Sequence, residues 1–100
     1  MHTISNSPWG KPDSVQSHGE GVWFVSTPSH GGFAVRADLL SKIKPEWVAY
    51  ARKWAGAPFV QYGWFEEDCC WAAVALTWPE RFKPADVEMA RKIVQDFDLA

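Results

Sequence analysis

No run of about 18 apolar residues occurs in the 100-residue chain, so no membrane-spanning helix is expected. Cysteine is scarce: there are two, Cys69 and Cys70, and they are adjacent. Sequence neighbours bridge only with strained geometry, so a disulfide framework is excluded and a reducing compartment is expected. The first residues lack the charged-then-apolar layout of a secretory signal, and the expectation is a cytoplasmic protein. Basic charge is not in excess either, with ten Lys and Arg against twelve Asp and Glu, for a net charge of −2. That argues against direct nucleic-acid binding, which needs a clustered basic face. Arg36, Lys42, Lys44, Arg52 and Lys53 come nearest to one, but Asp38 and Glu46 interrupt them, and they read as a solvated helix face. There is no Gly-rich phosphate loop of Walker or Rossmann type and no G-x-S-x-G elbow. C-x-x-C and H-x-x-x-H spacings are also missing, so neither a metal nor a cofactor is expected.

Aromatic residues are abundant. Seven tryptophans, six phenylalanines and two tyrosines occupy this short chain. Large rings fill a small core efficiently. Tryptophan is also enriched at binding hot spots, and among seven at least one exposed anchor is expected.

Residues 1–20 are rich in Ser, Pro, Gly and His without an apolar period, and read as an irregular arm before a single domain over 21–100. Trp9 is the exception, able to pin the arm to the domain or to a partner. "GVWFVS" (21–26) and "GFAVR" (32–36) are strands by type, joined as a hairpin. Their continuous apolar character implies burial on both faces or an added strand. Asp38 is expected to cap a short helix over "LLSKIK". Pro45 opens the next helix, with Trp47, Tyr50, Ala51 and Trp54 on one side. "FVQYGWF" (59–65) reads as a third strand, and residues 67–78 as a buried helix opened by acids and stopped by Pro79. The last segment is an amphipathic helix with Val87, Ala90, Ile93 or Val94, and Phe97 on its stripe. The expected class is α+β, a small antiparallel sheet (hairpin 21–36 plus strand 59–65) packed against three or four helices.

Two polar stretches invite functional readings. In "STPSHGGF" (26–33), the hydroxyls of Ser26, Thr27 and Ser29, with turn N–H groups, could cradle an anion, Gly31 and Gly32 supplying positive φ. The bland reading is a hairpin turn capping its own backbone. His30 is a candidate acid or base. "EEDCC" (66–70) could supply its partner: Cys69 as nucleophile, or a carboxylate such as Glu67. Glu66, Glu67 and Asp68 disfavour a thiolate beside them. A mixed metal set from Glu66 or Asp68 with Cys69, His30 and His18 lacks any recognised spacing, and adjacent helical cysteines should point apart. The acids could also simply pair with Arg36 in a structural corner.

Taken together, "VSTPSHGGFAV", "GWFEEDCCWA" and "PERF" resemble an uncharacterised small-domain family found in phage, plasmid and other mobile-element proteins of proteobacteria. The resemblance spans about residues 21–83; the second cysteine and the arm depart from it. That family carries no established activity, so no catalytic residue is transferred. What the resemblance implies is a setting: a small protein in the host cytoplasm that opposes a host defence system such as CRISPR or restriction. Its partner would be a host protein or ribonucleoprotein complex, bound by a monomer or homodimer. Candidate binding residues are Ser26, Thr27, Ser29, His30, Gly31, Gly32, Glu66, Glu67, Asp68, Trp9 and Trp64. The alternatives are a small hydrolase or transferase using His30 with Cys69 or a carboxylate, and an anion-binding or small-ligand module.

Overall fold

The computed structural model describes residues 4–99. The hairpin forms as expected: β2 (Val22–Ser26) pairs antiparallel with β3 (Gly31–Arg36), Val22 opposite Val35 and Ser26 opposite Gly31. A strand over Ser14–Ser17, β1, adds to the free edge of β2. β4 (Tyr62–Glu66) adds antiparallel to β3. The sheet order is β1-β2-β3-β4, and the α+β architecture is completed by α1 (Pro45–Ala55), α2 (Trp71–Thr77) and α3 (Pro84–Leu99). No helix among the described residues is long and apolar enough to cross a membrane.

Both faces of the sheet are buried, and this explains the unbroken apolar runs. Strand alternation sends Val22, Phe24, Phe33, Val35 and Phe65 to one face, where they meet the helices. α2 contributes Ala72, Ala73, Val74 and Ala75, all fully buried. Those short side chains let it lie close to the sheet and to Ala90 and Val94 of α3. The opposite face carries Trp23, Val25, Ala34, Tyr62 and Trp64. Ile4 and Trp9 of the N-terminal segment pack onto it. Ala34 stands between Trp23 and Trp64 in register, so a small residue makes room for two indoles. Trp9 meets Trp64 edge-on with ring centroids 5.8 Å apart.

Several local expectations are corrected. β1 lies within the stretch read as irregular; its "SVQS" is exposed at every position, so no core pattern marks it. Asp38 does not cap the helix after β3. The segment Ala37–Lys42 is 3-10, and Asp38 grips the Arg36 guanidinium at 2.5 and 3.1 Å. Arg36 also reaches Glu20 at 3.4 Å, so it turns to these acids and not to the "EED" acids. α2 starts at Trp71 and not near residue 67, because residues 67–70 form a turn held by Glu66. On α1, Trp47 and Ala51 are buried, but Trp54 is 59% exposed, its ring lying against Tyr50 with centroids 6.2 Å apart. Gly56 ends that helix in the left-handed region at φ 65°. Val87, Ala90 and Val94 form the buried stripe of α3; the side chain of Phe97 lies outside the described residues.

Candidate functional site

Residues 27–30 close the β2–β3 hairpin, and Thr27 organises them. Its N–H donates to the His30 carbonyl at 2.8 Å. Its hydroxyl lies 2.6 Å from the same carbonyl and accepts the His30 N–H at 3.1 Å. That hydroxyl also lies 3.3 Å from the Trp9 carbonyl, tying the N-terminal segment to the turn. Two turn N–H groups are therefore consumed inside the hairpin, which leaves fewer donors for an anion. Ser29 and His30 are exposed; Ser26 sits half-buried in β2.

Gly31 and Gly32 are not turn residues. Neither has positive φ; both are extended inside β3. Close approach is what they provide. A Cβ on Gly32 would lie 2.5 Å from the Phe65 carbonyl oxygen, 2.6 Å from the Trp9 ring and 2.8 Å from the Glu66 Cα. A Cβ on Gly31 would meet the Val25 carbonyl oxygen at 2.9 Å and the Glu67 carboxylate at 3.3 Å. The Gly31 carbonyl accepts the Glu67 N–H at 2.9 Å, and Gly32 stands opposite Glu66. The two polar motifs thus meet in space, with Trp9 laid across the junction.

The acids divide between the two faces of the sheet. Glu66 turns back over the chain that follows it. Its carboxylate accepts the N–H groups of Asp68 (3.0 Å), Cys69 (2.8 Å) and Cys70 (3.3 Å), and the Cys69 thiol at 3.0 Å. Burial works to raise the Glu66 carboxyl. The hydrogen bonds from Cys69, Asp68 and Cys70 outweigh it and hold the group below its ordinary range. Glu67 points to the other face. Trp9, His30, Trp54, Glu66 and Asp68 line a surface cleft of about 250 Å³. His30 therefore shares a cleft with two carboxylates. Trp64, a candidate binding residue, is buried beneath Trp9 and so is not available to a partner. Trp54 joins the cleft although its helical spacing argued for the core.

The thiols are poor nucleophiles. Burial, then the hydrogen bond to Glu66, pushes Cys69 up to about 11. Burial and the neighbouring Cys69 push Cys70 higher still, and Cys70 is fully enclosed. Contrary to expectation the two sulfurs do not point apart: they lie 3.7 Å from each other, in the turn ahead of the helix proper. Glu66, Cys69 and Cys70 each place one ligand atom within 4.8 Å of the others, the one such trio among the described residues. His18 is not part of it; it lines a different cleft.

This predicts sluggish thiol chemistry. At pH 7.5, iodoacetamide should alkylate the native protein about a hundredfold more slowly than a free cysteine peptide, with the first adduct on Cys69. The rate should climb as pH rises toward 11. Peptide-mapping mass spectrometry reads it; labelling as fast as the peptide's would restore Cys69 as a nucleophile.

No curated protein and no solved structure matches the chain. A family model spans residues 2–98, the arm and the folded core alike, and the chain belongs to that family, described as a domain of unknown function (DUF7007).

Proposed function

We propose that this protein acts by binding: a phage-type, mobile-element product that works in the host cytoplasm to inhibit a defence system such as CRISPR or restriction. The observation that carries the binding part is Trp54, 59% exposed and lining one cleft with Glu66, Asp68 and Trp9. A large exposed indole beside carboxylates suits a hot-spot anchor ringed by charge, directed at a basic surface of a host protein or ribonucleoprotein. The suppressed thiols support binding over cysteine catalysis. The mobile-element setting rests on the sequence resemblance.

The test is phage plating on hosts carrying one defined CRISPR or restriction system. Wild-type protein should restore plating by orders of magnitude. Trp54→Ala and Asp68→Lys should abolish the effect while their melting curves stay near wild type, because neither side chain is enclosed in the core. Retention of full activity by both variants would remove this corner as the recognition surface. A second reading is favoured by His30, which lines the same cleft as Glu66 and Asp68, an arrangement suited to acid–base chemistry. His30→Ala separates the two: lost protection with an undiminished partner complex points to an enzyme, and unchanged protection points to binding.

A further inference from the structure

On the helix-packed face of the sheet lies a second cleft, of about 370 Å³. Phe24, Phe33, Trp71 and Phe82 form its walls. The phenylalanines brace one another, Phe24 against Phe33 at 5.0 Å and Phe33 against Phe82 at 5.5 Å between ring centroids. His18 completes the wall, 5.0 Å from Phe33 and 5.2 Å from Phe82. Arg81 fixes this side, its guanidinium donating to the Glu20 carbonyl at 3.0 Å and lying 3.4 Å from the His18 carbonyl. The site is thus preformed by contacts that owe nothing to a ligand.

Two carboxylates, Glu67 and Asp86, also line the cleft, and no lysine or arginine among the described residues does. Neither carboxylate takes part in an ion pair among the described residues. Burial lowers the His18 imidazole, which favours its neutral form and leaves both formal charges in the cleft negative. An anion would be repelled here. A neutral apolar ligand would cover two carboxylates without replacing their water. A cation on an apolar stem satisfies both features, its charge meeting the carboxylates and its stem the rings. We propose that this cleft binds an organic cation, a guanidinium or ammonium group carried on an alkyl stem. The site is separate from the Trp9 corner: Phe24 and Phe33 alternate to the face opposite Gly32 and Glu66.

Titration of 15N-labelled protein with N-acetyl-arginine methylamide, agmatine and choline tests it, read at the Trp71 indole N–H. The uncharged isosteres N-acetyl-citrulline methylamide and 3,3-dimethylbutanol are run alongside. Saturable Trp71 shifts with the cations, at least about tenfold weaker with the isosteres, support the site. The Glu67→Gln, Asp86→Asn double variant should keep the wild-type amide spectrum and bind the cations about tenfold more weakly. Stronger binding of the arginine amide assigns the natural source to a protein side chain; stronger binding of agmatine or choline assigns it to a free amine. Equal shifts by cations and isosteres, no saturation by any cation, or a double variant that binds as wild type each overturn the proposal.

Discussion

Gly32→Ala is expected to destabilise the protein by about 3 kcal/mol, lowering its melting temperature by roughly 15 °C. The sign is what makes the result informative. A glycine inside a strand is ordinarily a weakness, and alanine there gains stability by restricting the unfolded chain. Gly32 lacks positive φ, so its own backbone conformation is open to alanine. The loss is steric alone. The added methyl would approach the Phe65 carbonyl oxygen at 2.5 Å and the Glu66 Cα at 2.8 Å, both backbone of the neighbouring strand, and the Trp9 ring at 2.6 Å. The indole can swing away; β4 cannot without shifting its pairing. Trp9→Ala in the same chain should therefore recover only the smaller part of the loss. Thermal melts of wild type, the two single variants and the double variant make the cycle. A Gly32→Ala protein as stable as wild type would show that the strands and Trp9 do not approach each other as described.

How far the sequence could have led to this geometry depends on the element. The hairpin was legible because β-branched and aromatic residues crowd 22–26 and 33–35; continuous apolarity left open burial on both faces or an added strand, and the sheet has both. What covers the second face was not legible in detail. Ile4 and Trp9 are isolated apolar residues in a polar segment, and β1 offers Val15 alone as an apolar residue. Turn chemistry attaches to the glycine pair because it follows Ser29 and His30, although Gly32 also opens the strand expected over 32–36. Its true constraint, a neighbouring backbone and a distant indole, is long-range and leaves no local trace. The division of the acids could have been foreseen. Carrying the period of two one residue past β4, where the Glu67 N–H still bonds the Gly31 carbonyl, sends Glu66 and Glu67 to opposite faces; assigning them to one helix start hides that. The aromatic cleft had no contiguous signal, since its residues come from positions 18 to 86 and converge only through the fold.

Glu66→Ala is expected to cost about 2–3 kcal/mol, or roughly 10–20 °C in melting temperature. One carboxylate accepts three successive backbone N–H groups and a thiol, and alanine strips the acceptor from all of them. Glu66→Gln should recover much of the loss near neutral pH, because the amide oxygen still accepts. The two forms separate with pH. Hydrogen bonding holds the folded-state carboxyl below its unfolded value, so its contribution is complete above the unfolded pKa and fades as pH falls through the folded one. Asp38, lowered by its bond to Arg36, adds a loss of the same sign but is present in both proteins. The wild-type melting temperature should therefore fall more steeply than that of Glu66→Gln below about pH 4. Parallel curves from pH 7 to 2 would mean that the carboxylate charge does not hold the turn, and that a neutral acceptor serves as well. Divergent curves would tie the start of α2, and the sulfurs placed by that turn, to the ionisation of one side chain.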